Sequence, residues 1–494
     1  MSMSKEKKAR KRAEERRRRR QTVTLAVIGA ALIVILIALA VFVNSKATRR
    51  RATAVTVGDM KFTVAEFDYF YYSAYSRYVT DIYANHPSYA ESLLPDQSKP
   101  LKSQTFSEST GQTWDEVFVE EAMNTIRSVA AAWQAGHEAG YQLSEERTEQ
   151  IRQTYEAAQA QAESGQMNLD DFLARNFGKA ITGEIYFDLL TKEAYAEEYR
   201  QSVRDSFTYT PEELAAYYQE NRDALDVFAI RSFYLAASGF DDGADGAKAA
   251  AEAYAAGIRS EQDMIDAARD FDAASFEEDG STLHYYAGSA VASYYRAWVT
   301  DPARQRGDVT VAENGDSGCY VVYYLERIDN RYPTARLHMI TMYADAVNAE
   351  DYETTEEYRT ARTTARKDLE AEGREVLSQW NEGGGSLDAF EILYKDHTDD
   401  YYYVNGLVED YYRHLYPEEM DAWVYDEARQ EGDGAIFTDG DGQACYFVRF
   451  GSLGEDYCDY LARTGLSQVR YVEWDASISE GMTVKKGALF SLRG

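Results

Sequence analysis

Two stretches of the chain are near copies of each other. Ala297-Trp298-Val299-Thr300-Asp301-Pro302-Ala303-Arg304-Gln305-Arg306-Gly307-Asp308 recurs as Ala422-Trp423-Val424-Tyr425-Asp426-Glu427-Ala428-Arg429-Gln430-Glu431-Gly432-Asp433, identical at nine of twelve positions. Each copy runs into an apolar strand, Cys319-Tyr320-Val321-Val322 in one and Cys445-Tyr446-Phe447-Val448 in the other. Each also follows an Arg-led strand, Arg231-Ser-Phe-Tyr-Leu235 or Arg336-Leu-His-Met-Ile340. Self-similarity of this kind predicts two copies of one α+β module, at 227–332 and 333–453. Aligning the two Arg-led strands sets Phe233 against His338.

Ahead of the repeat the texture is helical. Thr63-Val-Ala-Glu66, Thr113-Trp-Asp-Glu116, Asn168-Leu-Asp-Asp171 and Thr210-Pro211-Glu-Glu213 are helix starts, with a short hairpin expected over Val55 to Phe62. Residues 44–226 therefore read as one helical domain. The C-terminal piece, 454–494, returns to helix at roughly 455–478 and is too short to fold alone, so it is expected to pack back on that domain. The helical region 55–226 with the C-terminal return is expected to supply the client-binding surface, since Phe67, Tyr69, Phe70, Tyr71, Tyr72 and Tyr75 crowd one early helix and one face of a helix is buried at a time.

Thr22 to Val43 is a run of 22 uncharged residues, long enough as a helix to cross a bilayer. Lys5 to Arg20 holds 11 Lys/Arg, and the charge asymmetry predicts a basic cytoplasmic tail at 1–21, a transmembrane anchor at 22–43 and an extracytoplasmic body. The run exceeds a signal-peptide core and lacks a good cleavage site, so an uncleaved anchor in the cell membrane is expected.

Net charge is -32 although residues 1–51 carry 15 Lys/Arg against 3 Asp/Glu, so the body is strongly acidic. Such a surface excludes nucleic acid as a partner, because duplex affinity comes from cationic side chains on phosphates. Three cysteines make no disulfide framework. The six histidines (His86, His137, His284, His338, His397, His414) have no i,i+4 pair, so no metal is expected, nor any cofactor. Gly315-Asp316-Ser317-Gly318 matches a serine-protease tetrapeptide, but the second copy has no serine there and a turn is expected.

The module order, with Arg336-Leu-His338-Met-Ile340, the stretch Ser386 to Asp400 and the turn Asn405-Gly406-Leu407, resembles the parvulin family of peptidyl-prolyl isomerases. Val57-Gly58-Asp-Met-Lys-Phe62-Thr63-Val-Ala-Glu66-Phe67 and Gly140 to Glu146 resemble the N-terminal domain of SurA/PrsA-type foldases. The resemblance implies an α+β protein with a single N-terminal transmembrane helix, a helical chaperone domain completed by a C-terminal helix, and two tandem parvulin-like modules. It implies a membrane-anchored extracytoplasmic peptidyl-prolyl isomerase and chaperone acting on unfolded or nascent exported polypeptides. A non-catalytic holdase and a structural or receptor ectodomain are the alternatives. The resemblance also implies site residues. His338, with Tyr446 at the closing histidine position and Cys445 before it, would form an eroded catalytic site, and Leu407, Met420 and Trp423 are proline-pocket candidates. The first module, with Phe233 and Tyr320 at the histidine positions, would be inactive.

Overall fold

The computed structural model describes residues 42, 45–271, 282–348, 351–439 and 442–493. It is mixed α+β, with four small sheets among the described residues. By internal contacts the chain divides into two units, residues 1–207 with 469–494, and residues 208–468.

The first unit is mainly helical. Strands β1 (Thr53–Val57) and β2 (Met60–Thr63) form an antiparallel hairpin, and helix α1 (Val64–Asn85) follows it directly. The capping box at its start is complete: the Thr63 hydroxyl accepts from the Glu66 N–H and the Glu66 carboxylate accepts from the Thr63 N–H. The same device opens α2 (Trp114–Glu138) at Thr113 and Glu116. A short hairpin, β3 (Thr105–Ser107) and β4 (Gln112–Thr113), precedes α2, and α3 (Gly183–Asp205) packs on α2. The C-terminal segment closes this unit. Its strand Val484–Lys486 pairs with β1, Phe490 meets Phe67 edge to face at 5.0 Å, and Arg493 pairs with the buried Asp115 at 3.0 Å. The crowded aromatics of α1 are core: Phe67, Tyr69, Phe70 and Tyr71 are all buried. Those four rings are therefore packing residues and not client surface, because the hairpin, α2, α3 and the C-terminal segment cover that side of the helix.

The second unit holds two sheets of one topology. In the first, β6 (Leu283–Ala287), β5 (Val227–Ala236), β8 (Gly318–Ile328) and β7 (Val309–Glu313) lie in the order 6-5-8-7, all antiparallel. In the second, β10 (Leu407–Tyr411), β9 (Pro333–Tyr343), β12 (Ala444–Asp456) and β11 (Gly434–Thr438) repeat that order as 10-9-12-11. Even an irregularity repeats. Between β5 and β8, Ile230 pairs with Tyr324 but Ala229 with Glu326; between β9 and β12, Leu337 pairs with Phe450 but Arg336 with Ser452. One extra residue thus bulges from the same place in each central strand. Helix α4 (Gly243–Gly257) packs on one face of the first sheet and the short α5 (Arg296–Val299) on the other. Helices α6 (Thr355–Glu382) and α7 (Leu387–His397) occupy the first of these faces in the second sheet, and α8 (Glu418–Val424) the other.

The single-pass membrane architecture and its localisation are corrected. The expected span at 22–43 lies outside the described residues except for Phe42, and among the described residues no helix is long and apolar enough to cross a membrane. The long helices are charged along their length: α2 alone carries Asp115, Glu116, Glu120, Glu121 and Arg127. Charges are expensive at a bilayer centre.

Candidate functional site

The twelve-residue repeat has a structural explanation that is the same in both modules. Arg429 lies over the ring of Trp423 at 4.0 Å, and Arg304 over Trp298 at 5.0 Å. Each arginine also pairs with the aspartate four residues on, Asp433 at 3.1 Å and Asp308 at 3.2 Å. Asp426 and Asp301 each accept a backbone N–H two residues later, and Gly432 and Gly307 sit at φ 90° and 99°, where a side chain is strained. The strongest motif in the sequence therefore builds the turn that leads into β11 and β7.

His338 sits on β9 opposite Arg449 of β12 and Leu407 of β10. Its ring meets Phe390 of α7 edge to face at 5.6 Å, and its Nδ1 is buried without a hydrogen-bond partner among the described residues. Burial, then the positive charge of Arg449 and Arg336, lowers its pKa below the ordinary 6.5, so the imidazole is neutral near pH 7.

Side chains alternate along a strand, and the packing fixes which way each points. Ile340, Met342, Cys445 and Phe447 pack with α6 and α7; Leu337, Met339, Val448 and Phe450 pack with α8. His338 and Leu407 share the α6/α7 face with Cys445. Tyr446, Met420 and Trp423 share the opposite face. The sheet thus stands between the imidazole and the phenol that the sequence pairs. Cys445 is fully buried four residues along from His338, its thiol pushed up to about 11 by burial, and it packs so closely under α6 that a Cβ on Gly373 would lie 2.5 Å from its Sγ. Met420 is fully buried and Trp423 is covered by Arg429.

Strand register also changes the correspondence between modules. Arg231 pairs with Tyr323 as His338 pairs with Arg449, each one residue inside the shared bulge. The position of His338 is therefore held in the first module by Arg231, bound to Glu261 at 2.8 Å, and Phe233 corresponds to Ile340. Tyr320 and Tyr446 do correspond. The Gly315–Gly318 segment is a turn before β8, with Gly318 pressed against the Leu235 carbonyl.

The sequence reading missed the aromatic surface around Tyr446. Tyr446 meets Tyr416 edge to face at 5.1 Å, Tyr403 and Tyr416 pack against the same apolar cluster as Tyr446, and the Tyr402 and Tyr403 rings are 4.9 Å apart. Burial pushes the Tyr446 phenol up to about 12, so it stays protonated. Residues beside Tyr403 in the chain and one on β9 are open: Tyr343 of β9 is 52% exposed, and in the run around Tyr403, Tyr401 is 69% exposed and Tyr402 and Val404 81% each. The consecutive tyrosines 401–403 were the available signal. The first module has a smaller counterpart, with Tyr320 4.6 Å from Tyr234 and Tyr294 half-exposed.

No protein-family model matches the chain. No curated protein matches it. Among solved structures it is similar to PrsA from Bacillus subtilis, at 13% identity over 47% of this chain and 80% of that one, with a TM-score of 0.15. A likeness that weak carries no argument about fold, residues or activity.

Proposed function

We propose that the protein binds non-native polypeptide and holds it without isomerising prolyl bonds. The observation that carries this reading is the group of tyrosines at one side of the second sheet, exposed Tyr402 against Tyr403, and Tyr403, Tyr416 and Tyr446 on one apolar cluster. Contiguous exposed apolar surface marks interaction sites, and tyrosine gives large contact area at low entropic cost while its hydroxyl stays hydrated. The isomerase reading needs a histidine and its partner at the floor of one pocket, and here His338 and Tyr446 lie on opposite faces of one sheet. A step with a barrier of ~18–20 kcal/mol is not lowered by a surface that only adsorbs the chain.

The test is suppression of aggregation of several unrelated unfolded proteins by the full chain, beside a prolyl-peptide isomerisation assay. Suppression that weakens in Tyr401→Ser/Tyr402→Ser, with no acceleration of isomerisation, is expected. Isomerisation that is accelerated and lost on His338→Ala would restore the catalytic reading.

A further inference from the structure

The first unit contains a second open apolar feature, on elements that share nothing with the tyrosine surface. A groove of about 530 Å³ runs between α1 and α2, walled at one end by the β3–β4 hairpin. Its floor is aromatic. Tyr78 and Phe118 lie 5.9 Å apart, Trp114 stacks on Phe118 at 5.8 Å, and Phe106, 44% exposed on the hairpin, meets Trp114 edge to face at 4.8 Å.

The rim is acidic. Asp81 on α1 and Glu120 and Glu121 on α2 line it, against one cation among the described residues, Arg77, which pairs with Glu121 at 3.9 Å. Among the described residues the other two carboxylates are bonded only to neutral amides, Glu120 to Gln112 at 3.3 Å and Asp81 to Asn85 at 2.8 Å. An amide donor leaves the negative charge uncompensated, and an apolar floor inside an anionic rim is complementary to an apolar side chain flanked by cations.

We propose that this groove takes an extended polypeptide segment in which an aromatic or large aliphatic residue is flanked by Lys or Arg. The segment sets its apolar side chain between Tyr78, Phe118 and Phe106 and its cations against Glu120 and Asp81. The assignment relies on the polypeptide-binding reading for the class of ligand, but the site and its selectivity rest on the groove alone.

Three labelled peptides titrated into the full chain test it by fluorescence anisotropy: an aromatic centre with flanking lysines, the same centre with flanking glutamates, and a serine centre with flanking lysines. The lysine-flanked aromatic peptide should bind tightest, roughly three- to tenfold over the glutamate version, the return of two rim charge pairs. That preference should shrink with added salt. Glu120→Lys/Glu121→Lys should abolish the preference, and Phe106→Ser should weaken the aromatic peptide specifically, while suppression of aggregation by the Tyr401/Tyr402 surface persists in both. Equal binding of the three peptides, or a preference untouched by either variant, overturns the proposal even where aggregation is still suppressed. A concentration-dependent dimer that Phe106→Ser dissolves, with no peptide bound, would assign the groove to a second copy and overturn it as well.

Discussion

The imidazole of His414 stacks on the phenol of Tyr285, ring centroids 4.1 Å apart and planes 12° from parallel, and so ties the loop after β10 to strand β6 of the other module. His414 is held in place by its own backbone, at φ 67°, with its N–H donating to Asp421 at 2.8 Å while the Tyr411 hydroxyl donates to the other oxygen of that carboxylate. Burial lowers the His414 pKa below its ordinary 6.5; Asp421 opposes this, Arg413 adds to it, and Glu418 and Glu326 oppose it weakly.

A group whose folded pKa is depressed is protonated more readily when unfolded. Stability is therefore intact above pH 6.5 and falls as pH drops through that value, until folded His414 itself takes the proton. His284 and His338 are lowered by burial in the same direction. Thermal melts between about pH 8 and about pH 5 should show a declining midpoint, with a shallower decline in His414→Gln. An unchanged slope in that variant would remove His414 from the account.

Asp226 is fully buried just before β5, accepting from Tyr218, from Arg222 at 2.8 Å and from Arg327 at 2.6 Å. Arg327→Ala should cost about 3–5 kcal/mol, because it removes the better buried of the two cations on an interior carboxylate. Urea denaturation measures the loss; a change of a few tenths would mean that Arg222 alone compensates the charge.

Gly373→Ala sets a methyl 2.5 Å from the Cys445 sulfur and should destabilise the chain by about 1–3 kcal/mol. Adding Cys445→Ala should recover part of that loss, because the smaller side chain opens the space. Additive losses in the double variant would place the strain elsewhere.

His338→Ala and Tyr446→Phe should have independent effects on stability and on client holding, since the sheet separates the two side chains and their ring contacts, Phe390 and Tyr416, differ. A double-mutant cycle with coupling above about 1 kcal/mol would show that they act together after all.

Much of the local structure was written in short-range chemistry. The capping boxes at Thr63, Thr113 and Thr210 form as their spacing predicts, because a hydroxyl and a carboxylate three residues apart satisfy each other's backbone donors whatever the tertiary context. The repeat was legible for the same reason: Trp, Asp, Arg and Gly at fixed offsets close one turn. What could not be read was long-range register. Matching Arg231 to Arg336 instead of to His338 is a slip of two residues, which leaves every side chain on its own face and so disturbs no hydrophobic alternation. The opposition of His338 and Tyr446 is decided by which residue of β9 pairs with which residue of β12, and no pattern within either strand encodes that pairing. The aromatic run of α1 misled because crowding alone does not reveal how many neighbours will cover a helix. Tyr78, two turns beyond the buried Tyr71, lines the open groove.

The shared bulge has a consequence for how the chain reaches its native state. Because β8 and β12 carry the same break in register, each offers the hydrogen-bond ladder that both β5 and β9 require. Newly made chain thus contains two interchangeable sockets, and β5 emerges before either central strand. Exchange between them would fuse the modules into one trapped sheet, the characteristic failure of tandem repeats. What separates the outcomes is side-chain content at the matched sites: Arg231 carries its own counter-ion in Glu261, whereas seating it against Arg449 would oppose two cations across one ladder.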